Sequence, residues 1–266
     1  MNREDVFMRT IAIMNNKGGV GKTVTAINLA DILVRDHQKK VVVVDCDGQM
    51  NLTRFYLPKF DPEINVNLAD ILLGDGESVW SDNVVPLQPR LDLLAASQDL
   101  YDLDRRAIQF GKNGIVRLDD FVACAREDGD VDYMIFDCPP GYTVASVGAL
   151  MAADEVVIPM LLDGFSHTGM EDMQHQIDIL RRTNPCIRIS GVLLTQWHNS
   201  EVVRKGEAYI RSLSVPVFRQ TIRRTDKVPE STYDRQPMSV YSPTSAAARD
   251  YRAWVEELLG EEAPHV

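Results

Sequence analysis

The run Asn15-Asn16-Lys17-Gly18-Gly19-Val20-Gly21-Lys22-Thr23 constrains this chain more than any other segment. An apolar stretch, Thr10-Ile11-Ala12-Ile13-Met14, precedes it, and a helical pattern from Thr23 to Arg35 follows. Strand, glycine-rich turn and helix start form the context in which several backbone N–H groups gather on one anion. Glycine permits the tight turn, and the helix N-terminus adds partial positive charge. Lys22 then supplies a full charge to the outer phosphates of a nucleotide, and the Thr23 hydroxyl a ligand for Mg²⁺. A Lys-Gly-Gly-x-Gly-Lys-Thr string arises by chance roughly once in ten thousand chains of this length, so a fortuitous turn explains it poorly.

Hydrophobic and charged residues make up 45% and 25% of the 266 positions, as expected of a globular chain with a sizeable core. The formal net charge of −11 argues against a wholly nucleic-acid-coated existence but leaves room for a local basic face. Cys46, Cys124, Cys138 and Cys186 form no C-x-x-C pair and no zinc-ligand spacing with His, so reduced thiols and a cytoplasmic location are expected. No secretory signal is visible, and no run approaches the roughly 20 apolar residues of a membrane span.

Strands alternate with helices almost throughout. Val41–Val44, Leu91–Ala95, Tyr133–Phe136, Glu155–Ile158 and Ile189–Leu194 read as strands buried on both faces. Helices are predicted over Leu100–Gln109, Leu118–Arg126, Val144–Ala152, Gly169–Thr183, Glu201–Leu213 and Ser245–Leu259. The fold class is therefore α/β: a doubly wound, mostly parallel sheet with helices on both faces. One domain over 1–266 is expected, with a short N-terminal extension (1–9) and a flexible tail (260–266). Residues 57–90 read as an irregular excursion with a short helix near Leu68–Leu73. In the last helix Tyr251, Trp254, Val255 and Leu258 form one apolar stripe, read as a core-packing face; the acidic residues around it are wrong for an anionic membrane surface.

Two further segments complete a nucleotide site. Val44-Asp45-Cys46-Asp47-Gly48-Gln49 puts two carboxylates past the second strand, where ligands of open parallel sheets gather. A carboxylate there holds a metal-bound water or orients the water that attacks the outer phosphate; a turn cap is the structural alternative. Ile135-Phe136-Asp137-Cys138-Pro139-Pro140 ends an apolar strand in Asp137, placed to reach Mg²⁺ through water. Lys17 is redundant on the same phosphates unless it points elsewhere. Crossing a dimer interface to the partner's nucleotide is a use for it; an exposed loop lysine is the alternative.

Lys17–Thr23, Asp45–Asn51 and Asp137–Pro140 resemble the deviant Walker A, Walker A′ and Walker B motifs of the ParA/MinD ATPases, most closely ParA/Soj partition proteins. The resemblance runs from about Thr10 to Leu259. It implies an ATP- and Mg²⁺-dependent homodimer in which Lys17 reaches the other subunit's nucleotide, which binds DNA without sequence preference, and whose slow hydrolysis a ParB-type partner stimulates. By the same resemblance Lys17, Lys22 and Asp47 are catalytic, with Asp47 activating the water. Lys17, Gly18, Gly19, Val20, Gly21, Lys22, Thr23 and Val24 hold the nucleotide. Thr23, Asp45 and Asp137 serve the metal. Gln196, just past a strand end, is a candidate base contact. Asn16 stands where the strict Walker A motif has Gly, and Val24 replaces a second Thr. Gly48 and Met50 stand where the family usually has Pro and Gly, which bears on the loop beside Asp47 and hence on hydrolysis.

Between Glu201 and Arg235 eight basic residues oppose five acidic ones, a local inversion of the chain's charge. Backbone-phosphate binding requires such a face; a solvated charged surface is the alternative. Arg204, Arg219, Arg223, Arg224 and Lys227 are the candidate DNA contacts, and ATP-bound chains would then associate with the nucleoid. Two other functions fit the same fold: a MinD-like positioning ATPase, disfavoured by the acidic C-terminus, and an ATP-dependent amidoligase acting on a small carboxylate.

Overall fold

Seven strands line up in the order β3-β4-β2-β5-β1-β6-β7. They are β1 (Arg9–Ile13), β2 (Val41–Asp45), β3 (Val85–Gln88), β4 (Leu91–Leu94), β5 (Tyr133–Asp137), β6 (Glu155–Leu161) and β7 (Arg188–Thr195). The computed structural model describes residues 8–74, 80–110, 113–163, 175, 177–179, 181–182 and 184–260. Most of the helix expected over Gly169–Thr183, and nearly all of the two terminal segments, lies outside these.

Every pairing is parallel except β3 with β4. The helices are α1 (Lys22–Arg35), α2 (Asn51–Tyr56), α3 (Leu68–Leu73), α4 (Asp99–Phe110), α5 (Asn113–Asp128), α6 (Val144–Ala152), α7 (Glu201–Ser212), α8 (Lys227–Tyr233), α9 (Met238–Tyr241) and α10 (Ala246–Gly260). The period-two alternation of each strand divides the core in two. Ala12, Val42, Val44, Met134, Phe136 and Val156 face one side, with α3, α5 and α6. Ile11, Ile13, Val41, Val43, Ile135 and Val157 face the other, against α1 and α10. The stripe Tyr251, Trp254, Val255 and Leu258 is fully inside, and Trp254 meets Phe218 edge to face at 5.8 Å.

β3 escaped the sequence reading. Pro86 interrupts it and one face stays partly exposed, so it reads as loop; at the edge of a sheet the missing N–H costs little. The short helices α2, α8 and α9 were missed too, being too brief to show a helical period.

The order of strands matters for function. β5 lies between β1 and β2, with Asp137 in register with Ile13 on one side and Asp45 on the other. The loops after β1, β2 and β5 therefore leave the same edge of the sheet side by side, at a switch point of the topology.

Candidate nucleotide site

The loop after β1 is shaped by its own polar groups. Asn15 is buried; its amide donates to Pro159 O at 2.8 Å and its side-chain oxygen accepts from Lys17 N at 2.9 Å. Gly19 and Gly21 have φ of 72° and 90°, a region that favours glycine, and Gly21 caps α1. Lys22 Nζ curls back onto Asn15 O (2.9 Å) and Lys17 O (2.8 Å). Burial lowers its pKa below the ordinary lysine value, against the pull of Asp137 and Asp47. β7 braces the loop from the other side: Thr195 Oγ1 donates to Val20 O at 2.8 Å and Gln196 Nε2 to Gly19 O at 2.9 Å. Gln196 thus grips the loop. Thr195, which the sequence reading passed over, does the same.

Asp45 and Asp137, paired across neighbouring strands, do different work. Both Asp45 oxygens are engaged: Oδ2 accepts from Thr53 N (2.8 Å) and Thr53 Oγ1 (2.7 Å), and Oδ1 from Asp47 N (3.1 Å). Thr53 Oγ1 also accepts from Ala96 N. Asp45 is fully buried, and burial pushes its pKa up to about 6 despite these donors. In this arrangement the Asp45 carboxylate ties the N-terminal turn of α2 and the Asp47 backbone to the end of β2. Thr53 was invisible to sequence reasoning, since nothing local ties it to Asp45.

Asp137 is the opposite case. It is buried, and neither carboxylate oxygen makes a well-formed hydrogen bond among the described residues. Burial, then the nearby Asp45 charge, hold its pKa well above the usual carboxylate range; Thr23 and Lys22 pull the other way. A buried carboxylate left this way costs stability unless something positive completes it. No group of three or more His, Cys, Asp or Glu gathers around a metal position among the described residues. A cation beside Thr23 and Asp137 would take most of its oxygens from ligand and water, as Mg²⁺ does on a nucleotide.

Above these groups opens a cleft of about 830 Å³. Its floor is Gly18–Gly19 and Gly21–Val24. One wall carries Asp47, Gln49, Tyr101 and Cys138–Pro140; the other carries Thr195, Gln196 and Ile222–Asp226. The size suits a nucleotide. Asp47 stands in this wall, its Oδ1 accepting from Gln49 N at 2.9 Å. Lys17 is ion-paired with Asp163, half-exposed at the mouth of the loop.

The five candidate DNA contacts do not form one set of free cations. Arg223 lines the cleft and is clamped to the buried Asp250. Lys227 pairs with Glu230 at 2.6 Å, and Arg219 lies 3.5 Å from Glu257. Arg204 and Arg224 have no side-chain partner among the described residues, and Arg224 also lines the cleft.

An AAA domain family model matches residues 8–189. The chain is 30% identical over 259 residues to the chromosome partitioning protein ParA of Caulobacter vibrioides, an alignment spanning 96% of this chain and 95% of that one. It is 29% identical over 257 residues to the sporulation initiation inhibitor protein Soj of Bacillus subtilis, across 94% and 98% of the two chains. Among solved structures it is similar to cobyrinic acid a,c-diamide synthase from Mycobacterium smegmatis with bound ATP analog and magnesium, at a TM-score of 0.81 and 27% identity over 97% of each chain. A family model covering residues 8–189 and 30% identity to a ParA protein along nearly the whole of both chains agree, and the chain belongs to the ParA family of ATPases.

Proposed function

We propose that the chain is an ATP-driven switch of DNA partitioning: it binds ATP and Mg²⁺, dimerises around them, binds DNA without sequence preference, and hydrolyses ATP slowly until a ParB-type partner speeds it. The observation that carries the nucleotide part is the buried Asp137 carboxylate, without a well-formed hydrogen bond among the described residues, beneath Thr23 in a cleft lined by the glycine loop. The partition role is supported by the 30% identity to the chromosome partitioning protein ParA of Caulobacter vibrioides.

The Thr23 hydroxyl and Asp137 would hold Mg²⁺, which when bound neutralises charge on the outer phosphates. The loop N–H groups and the N-terminus of α1 cradle the phosphates. Lys22 turns its ammonium from Asn15 O and Lys17 O to the outer oxygens. Asp47 orients the water. The water oxygen bonds to the terminal phosphorus as the bridging P–O bond breaks; that electron pair leaves on ADP, and the water's proton ends on the phosphate product. Lys17 leaves Asp163 to neutralise charge on the partner's nucleotide, so dimer formation and hydrolysis are coupled.

The amidoligase reading is favoured by the 27% identity to a diamide synthase. Light scattering with a non-hydrolysable ATP analogue, with and without duplex DNA, separates the two. Partitioning gives an ATP-dependent dimer that retains DNA, with hydrolysis raised by DNA and a basic partner peptide. Hydrolysis that instead needs an amide donor and a small carboxylate favours the ligase.

A further inference from the structure

The family resemblance leaves Gly48 unexplained, and the structure accounts for it by a contact with α4. The ring of Tyr101, in the first turn of α4, occupies the space where a side chain at position 48 would begin. A methyl group at position 48 would stand 2.9 Å from Tyr101 Cε2 and Cζ and 3.1 Å from Cδ2, so any Cβ there would push the ring out of this position. The Tyr101 hydroxyl accepts a hydrogen bond from the Gln49 side-chain amide. Gln49 N in turn donates to Asp47 Oδ1 at 2.9 Å, and Met50 N to Asp47 O at 2.8 Å. Two links thus join the phenol to the carboxylate in the cleft wall. One turn further along α4, Asp104 Oδ1 accepts from Val144 N at 2.7 Å, at the first residue of α6 and just beyond the Asp137–Pro140 loop. The same helix therefore contacts the loop after β2 and the start of α6.

We propose that Tyr101 is a positioning residue for hydrolysis: ring on Gly48 and hydroxyl on Gln49, it fixes the loop that aims Asp47 at the attacking water. This rests on the ATPase reading above and deepens it. Tyr101 itself moves no proton. Its effect falls on the placement of the Asp47 carboxylate, and a misplacement of about an ångström near reacting atoms costs about a hundredfold in rate.

The test compares Tyr101→Ala, Tyr101→Phe and Gly48→Ala with the wild-type chain in three measurements: turnover of ATP at saturating Mg²⁺, affinity for a fluorescent non-hydrolysable ATP analogue, and amide hydrogen exchange at residues 47–50 without nucleotide. Tyr101→Ala is expected to lower kcat by about tenfold or more. Analogue affinity should stay within about twofold, because the phosphates are held by the glycine loop. Exchange at 48–50 should speed up while the melting temperature holds. Tyr101→Phe keeps the ring and should recover most of the rate, losing about threefold for the missing Gln49 bond. Gly48→Ala displaces the ring and should match Tyr101→Ala, and combining the two should cost no more than either alone. Unchanged kcat in Tyr101→Ala overturns the role, as does a loss confined to analogue affinity or unchanged exchange at 48–50. A wild-type chain that binds the analogue without ever turning over ATP overturns the ATPase reading itself, and the positioning role with it.

Discussion

Arg223 grips Asp250 with one edge of its guanidinium, Nη2 2.7 Å from Oδ1 and Nε 2.9 Å from Oδ2, while its backbone N–H donates to the same carboxylate at 3.0 Å. Asp250 is buried on α10, so the pair staples the segment after β7 to the last helix. Arg223→Ala leaves a buried acceptor short of donors and should cost roughly 1–3 kcal/mol in urea denaturation.

Arg224, next in sequence, has no such duty. Arg224→Ala should leave stability within about 0.5 kcal/mol. If the segment meets DNA phosphates, the same variant lowers affinity evenly across sequences and reduces the salt slope by about 1. Salt-titrated fluorescence anisotropy reads this directly, and an unchanged slope removes Arg224 from any DNA face.

Asp137→Asn separates the cost of the site from its use. In the free chain the raised pKa means the fold disfavours the ionised carboxylate, so near neutral pH the amide should melt higher, by about 2–4 °C for each kcal/mol relieved. Mg²⁺ with an ATP analogue should raise the melting temperature of wild type and much less that of the variant. Turnover should fall by about two orders of magnitude.

Glu155 gives the chain an acid-sensitive element far from the cleft. It accepts from Arg9 Nη2 at 2.8 Å and from Ser190 Oγ, with Arg188 at 3.1 Å. Burial alone would raise its pKa; the Arg9 bond and charge, with Ser190 and Arg188, outweigh that and lower it from 4.5. A depressed carboxylate stabilises the fold above its unfolded value and loses that contribution as pH falls through the folded one. Glu155→Gln should therefore cost roughly 3–5 kcal/mol at neutral pH, where it removes the negative charge that the buried Arg9 guanidinium and Arg188 face. The gap to wild type should close as the pH drops below 4.5, followed by denaturant midpoints.

Most of the sheet was readable because its strands are rich in apolar residues, above all Val41–Val44, and the glycine loop because its spacing is rare. The tertiary partnerships were not. Thr53 lies eight residues from Asp45 and on another element, and Tyr101 lies 52 residues from Gln49. Neither carries a local pattern. Charge counting between Glu201 and Arg235 likewise treated Arg223 as free, because its partner Asp250 comes 27 residues later and only folding brings them together.

Phosphate release from ATP, followed with and without Mg²⁺ in the wild-type chain and in Lys22→Ala, tests the central claim most directly. The account predicts release that requires Mg²⁺ and disappears in Lys22→Ala while the variant still folds. Release indifferent to both the cation and the substitution, or none from the wild-type chain in the presence of analogue-induced dimers, would contradict it.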